Sequence, residues 1–307
     1  MTVAVPGSIY GDLFRALSVL IAAPSPRQEP VARALEMGPL PTRADHTEAF
    51  VMEVHPYGAV YLGHEGKLGG DACDRMAGFW RTAGLEPPVE PDHAATLLEA
   101  CAQLALGDGT IGQAIPAAAR PNMLRGLLWE HMASWMLPFS LRVERSGMPF
   151  YSRWALGLRA TLVREIRETG ELPDLPTALR ESEPMPGPEA GAEAFFRALL
   201  APVRSGMVLS RGDLSRAART LRLGLRIGER EFILKAMLAQ GPHETMMWLA
   251  GEGGYWKERY KIEGKGFGSV GRFWQERATN TQLTLIRLAG RIGQGKDPEM
   301  DLGEFAP

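Results

Sequence analysis

Leu124-Arg-Gly-Leu127-Leu128-Trp-Glu-His131-Met-Ala-Ser-Trp135 is the stretch whose spacing decides the fold. Its large side chains return every three or four residues, the period of one helix face, where a strand would alternate at two. The same interval recurs on both sides of it. Leu13, Leu17, Leu20 and Ile21 follow it, as do Ala72, Met76, Phe79 and Trp80, then Leu97, Cys101, Leu104 and Ala105, and Trp154, Leu158, Leu162 and Ile166. Pro91 precedes the third of these and suits a first helical turn, where its missing N–H is not needed. Phe50-Val-Met-Glu-Val-His-Pro56 has a strand-like look but finds no pairing partner, so it reads as helix or loop. The chain is expected to be all-α.

Prolines divide it. Leu172-Pro-Asp-Leu-Pro176 and Glu183-Pro-Met-Pro-Gly-Pro-Glu189 interrupt any helix, because proline lacks the donor that the ladder needs. The expected organisation is a helical domain over 1–171, a Pro-rich linker over 172–191 and a second, smaller helical lobe over 192–307. In that lobe Ser210-Arg-Gly-Asp213 has the spacing of a helix-start box. Leu234 and Leu238, then Met246, Met247 and Leu249, continue apolar faces, and Trp274 with Leu283 and Ile286 closes the chain.

Composition removes several classes. Of 307 residues 45% are hydrophobic and 23% charged, enough apolar material for one large or two modest cores and against disorder as the dominant state. The apolar run from Ala16 to Ala23 is far short of the ~20 residues a bilayer span requires. Met1-Thr-Val-Ala-Val-Pro6 has no basic segment, so no secretory signal is expected. Cys73 and Cys101 are the only cysteines and form no CxxC pair, which fits a reducing cytoplasm and no disulfide framework. The net charge of −2 conceals a split: residues 1–194 carry 16 basic and 24 acidic side chains, residues 195–307 carry 18 and 12.

Catalytic constellations are missing. His46, His55 and His64 stand nine apart, a spacing that does not put two imidazoles on one helix face for a metal. Neither a GxSxG elbow nor a P-loop occurs. Gly266-Phe-Gly-Ser-Val-Gly271 matches GxGxxG in letters, yet without a preceding strand its amides are not aimed at a pyrophosphate, and it reads as a glycine loop between helices. Arg211, Arg216, Arg219, Arg222, Arg226 and Arg230 are spaced to share a helix face that could neutralise phosphates. A nucleic-acid-binding regulator using this Arg-rich helix near 211–230 is therefore the alternative function, although only six of the 34 basic residues are lysines and arginine is the default cation throughout.

One ordered set of elements runs from Pro56 to Tyr151. Pro56-Tyr-Gly-Ala-Val-Tyr61 leads to Phe79-Trp80 and Ala83-Gly84-Leu85. Glu90-Pro91-Asp92-His93 follows, then Leu97-Leu98-Glu99, Glu130-His131, Trp135, Phe139 and Phe150-Tyr151. This succession resembles the TorD/DmsD/NarJ family of redox-enzyme maturation chaperones over most of residues 10–170. Two features depart from the family pattern: its serine between the tyrosines is Ala59, and the proline after the tryptophan is displaced to Pro138. The back lobe has no counterpart in the pattern.

The resemblance implies a TorD-like helical bundle with no catalysis and no cofactor of its own. It implies a cytoplasmic chaperone that binds the twin-arginine signal peptide, the apo body of a molybdenum-cofactor oxidoreductase subunit, or both, until the cofactor is inserted and the client is assembled or exported. Nucleic acid and membrane insertion are not expected, and the chain would act as a monomer or dimer. The client site implied comprises Tyr57, Tyr61, Trp80, Gly84, Glu90, Pro91, Asp92 and His93. Glu90 and Asp92 would accept hydrogen bonds from guanidinium groups. Tyr57, Tyr61 and Trp80 would supply apolar area and cation–π contact. Pro91 would stiffen the loop, and protonation of His93 would tune the site near neutral pH. The second lobe would extend the contact or cover the groove.

Overall fold

The computed structural model describes residues 8–187 and 190–294. The expectation that no signal precedes Pro6 and the polar C-terminal tail both lie outside the described residues. Within them the chain is helical, with no β-strand and one isolated antiparallel bridge, between Tyr57 and His93. It divides into two units. The first comprises residues 1–59 and 68–180, the second 60–67 and 181–307.

In the first unit the helix Ser8–Ile21 packs on Ala94–Leu106 and on Pro149–Thr169, which packs on Ser134–Arg145. The first three bury the faces their spacing marks: Leu17, Leu20 and Ile21; Leu97, Cys101 and Leu104; Trp154, Leu158, Leu162 and Ile166. Between them lies an aromatic core in which Phe50, Phe139, Tyr151 and Trp154 meet edge to face or tilted, at 4.8–6.4 Å between ring centres. The run at 50–56 is half helix and half loop: a π-helical turn Thr47–Glu53 carries Phe50 into this core, and extended backbone follows.

Part of the Pro-rich stretch is fixed to this unit. Arg125 donates to the carbonyls of Gly170 and Glu171, the Trp129 indole N–H to that of Asp174, and Glu130 accepts from the Thr177 amide. The unit boundary accordingly falls after Arg180, and acidic residues up to 193 count with the second unit. By unit the charged residues are 15 basic and 19 acidic in the first, 19 and 17 in the second, so the −8/+6 split narrows to −4/+2.

The second unit is built on a helical hairpin, Pro242–Glu263 and Gly268–Gly293. Gly264-Lys-Gly-Phe267 and Gly268 turn it, with Gly268 at φ +53°. A Cβ on Gly271 would lie 2.1 Å from the Gly264 carbonyl oxygen, so the GxGxxG letters serve close helix packing. The buried face of the last helix is Trp274, Ala278, Thr281, Leu285 and Leu288, a continuous 3.6-residue stripe. Leu283 and Ile286, read as the apolar face that closes the chain, lie off that stripe and are exposed. The expected Ser210 box is formed: Ser210 Oγ accepts from the Asp213 amide while the Asp213 carboxylate accepts from the Ser210 amide.

The Arg-rich helix near 211–230 is not one helix. Arg211–Thr220 ends in a left-handed Arg222 at φ +58°, a loop occupies 221–229, and Arg230 starts the next helix. Arg230 is held inside the unit by the carbonyls of Gly66, Leu200 and Leu209. The six arginines therefore share no common helix face for phosphates.

Candidate functional site

Pro56–Gly58 and Asp92–Ala94 run antiparallel as a two-rung ladder. The Gly58 amide donates to the Asp92 carbonyl at 3.0 Å, and the Ala94 amide to the Pro56 carbonyl at 2.8 Å. The tyrosine element and the Glu90-Pro91-Asp92-His93 loop, 33 residues apart in sequence, thus form one structure. Gly58 stands at its closest point, where a Cβ would lie a tight 3.1 Å from the Trp135 indole nitrogen.

Within it the roles separate by burial. Asp92 is 5% exposed, and its Oδ2 accepts from the Ala59 amide at 2.8 Å, which satisfies the first turn of the helix Gly58–Leu62. The alanine at 59 offers only that backbone donor. The carboxylate turned to solvent is that of Glu90, whose Oε1 accepts from the Tyr57 hydroxyl at 2.5 Å. Burial, then that hydrogen bond, pushes the Tyr57 phenol up to about 12, so it remains a donor at neutral pH.

His93 caps the helix Ala94–Leu106. Its Nδ1 accepts from the Ala95 amide at 3.1 Å, which places the ring proton on Nε2. Burial pulls its pKa down, against the raising influence of Glu90 and Asp92. The imidazole is therefore neutral at pH 7, and the expected titration near neutrality is replaced by a fixed cap. Pro91 lies before this cap, outside the helical turn expected for it, and its carbonyl faces the Trp80 indole N–H at 3.5 Å.

Trp80 is buried in the first unit, so its face is not offered to a ligand. Gly84 is exposed at φ +74° and ends the helix Asp71–Thr82, with the Leu85 amide donating to the Trp80 carbonyl. Tyr61 is 1% exposed and belongs to the second unit's core. The two tyrosines of Pro56–Tyr61 therefore have different fates. Tyr57, Glu90, Pro91, Asp92 and His93 are brought together, with Trp80 beneath them; Tyr61 and Gly84 stand apart.

Beside this ladder a cavity of about 480 Å³ opens in the first unit, lined by Ile21, His46, Phe50, Val51, Tyr57 and His93 among others. The Tyr57 and His93 rings meet edge to face at 4.8 Å in its wall. His46 sits 3.1 Å from the Ile21 carbonyl and edge-on to Phe50 at 5.3 Å. Val51, on the π-helical turn, and Leu68 are exposed members of the lining. Sequence reading found Tyr57 and His93 of this wall but missed Phe50, Val51 and Leu68, which sit on an irregular turn and a loop, off every helical stripe. His46 and His55, noted there only for their nine-residue spacing, line it as well. Among the described residues no group of three or more His, Cys, Asp or Glu is arranged to hold a metal.

The groove can grip an apolar segment and offer Glu90 to a cation at its edge. Residues 23–140, which contain nearly all of this wall, match the family model described as nitrate reductase delta subunit. No match was found among curated proteins.

Proposed function

We propose, from the match of residues 23–140 to the nitrate reductase delta subunit family, a family of molybdoenzyme maturation chaperones, that this protein holds an apo molybdenum-cofactor oxidoreductase subunit, in the cytoplasm and without catalysis of its own. The client segment it takes is an apolar run preceded by arginine, as in a twin-arginine signal. The observation that carries this reading is the apolar groove with the solvent-facing Glu90–Tyr57 pair beside it. Aromatic and aliphatic walls suit the apolar run, and a carboxylate already oriented by a phenol is ready for guanidinium. Asp92, Pro91 and His93 act by positioning: they fix the ladder that presents Glu90 and Tyr57.

Titration of the full chain with a peptide carrying an arginine pair and an apolar run tests this. Glu90→Gln and Val51→Asp should each weaken binding about tenfold, or ~1.4 kcal/mol, with unchanged thermal unfolding. Unchanged affinity in both variants would exclude the groove.

A further inference from the structure

Residues 214–228 contain four arginines and no aspartate or glutamate. Arg216 is paired with Asp213, while Arg219, Arg222 and Arg226 are exposed. Between and beside them stand Ile227 at 91% exposure, Leu225 at 48% and Phe232 at 53%. A soluble surface seldom places an isoleucine almost wholly in water, and a cluster of apolar tips ringed by cations calls for a partner that is apolar inside and anionic outside. We propose that the loop 221–229, with Phe232 of the next helix, docks the second unit on an anionic lipid surface.

The loop is built to be presented. The Leu223 amide donates to the Ala218 carbonyl at 2.8 Å, closing the preceding helix. Gln240 then clamps Gly224 from both sides, its Oε1 accepting from the Gly224 amide at 2.6 Å and its Nε2 donating to the Gly224 carbonyl at 3.2 Å. Beyond this clamp Leu225, Arg226 and Ile227 project. Phe232 lies over Gly228, the neighbour of Ile227 in the chain, where a Cβ would be 2.9 Å from its ring. The acidic residues that follow, Glu229 and Glu231, line a separate cavity of about 430 Å³ together with Arg197, Arg230 and Lys67.

Arg222 adds an independent sign. It holds the left-handed backbone that closes the preceding helix, a conformation glycine would adopt without cost, and here carries a long cationic side chain at the root of the loop. Nucleic acid would account for the arginines but not for the aliphatic tips. A bilayer accounts for both, with the guanidinium groups at the phosphates and Leu225 and Ile227 below them. No helix among the described residues is long and apolar enough to cross a membrane, so the docking is peripheral.

Co-flotation of the full chain with phosphatidylcholine vesicles, with and without about one-third phosphatidylglycerol, tests this. The wild type should float with the anionic vesicles only, and less so as salt rises. Leu225→Ser with Ile227→Ser, and Arg222→Gln with Arg226→Gln, should each reduce binding at least ~10-fold. Arg222→Gly should unfold at the same or a higher temperature yet bind vesicles more weakly. No flotation, equal flotation on neutral vesicles, or flotation indifferent to these substitutions would overturn the proposal. So would binding of duplex DNA that needs the arginines but not Leu225 and Ile227.

Discussion

Asp92 and Glu90 stand two positions apart and do opposite work. A buried carboxylate that receives a backbone amide is a structural cap, whereas an exposed one held by a phenol is free to meet a cation. Asp92→Ala would leave the Ala59 amide without its acceptor, at a cost of about 1–2 kcal/mol. Urea unfolding should report that loss, while Glu90→Gln leaves the midpoint in place. His131 makes a second residue-level case. Burial, reinforced by Arg75, holds its pKa near 4 against an ordinary 6.5, and its ring lies 4.8 Å from Phe79. The folded state therefore resists protonation that the unfolded chain accepts. Stability is complete above pH ~6.5 and falls as pH drops toward 4, by on the order of 2–3 kcal/mol. Unfolding midpoints at pH 7.5 and 4.5 should differ accordingly, and His131→Gln should flatten the difference. A pH-independent midpoint in the wild type would contradict the assignment.

Elements with strict periodicity are legible in the sequence. The helix Ala94–Leu106 buries the Leu97, Cys101 and Leu104 face its spacing marks, and Ser210–Asp213 forms the cap its letters spell. What escaped were irregular elements. The π-helical turn Thr47–Glu53 obeys no 3.6-residue rule, yet it supplies Phe50 and Val51 to the groove, while that of Leu127–Ala133 lies inside a stripe whose spacing reads as ordinary helix. The Arg run was misread because a left-handed Arg222, unlike a glycine, announces no helix end in the sequence. The glycines of the hairpin also gain their meaning only from the partner helix. Gly271→Ala would force apart two backbones in contact at Gly264, and an overpacked helix pair typically loses about 1–3 kcal/mol. A melting temperature unchanged by Gly271→Ala would contradict that close packing.

For the molecule as a whole, the sequence disclosed two helical parts but not where the chain passes between them. Residues 60–67 count with the second unit, carrying Tyr61 into a core that also contains Trp256, Tyr260 and Trp274. No periodic signal marks such a transfer, because it depends on tertiary partners far along the chain. The candidate site was legible as a set of letters, Tyr57 with Glu90 to His93, and the ladder joins them; which carboxylate faces solvent depended on a hydrogen bond that no spacing encodes. The central claim is that the groove of the first unit holds an immature molybdenum-enzyme subunit. The most direct measurement is affinity capture of the full chain from cells grown with limiting molybdenum, with the retained proteins identified by mass spectrometry. The account predicts one catalytic subunit of a molybdenum oxidoreductase, lacking its cofactor, bound to wild type and lost with Val51→Asp and Glu90→Gln combined. The same subunit retained by that folded double variant, or no such subunit at all, would contradict it.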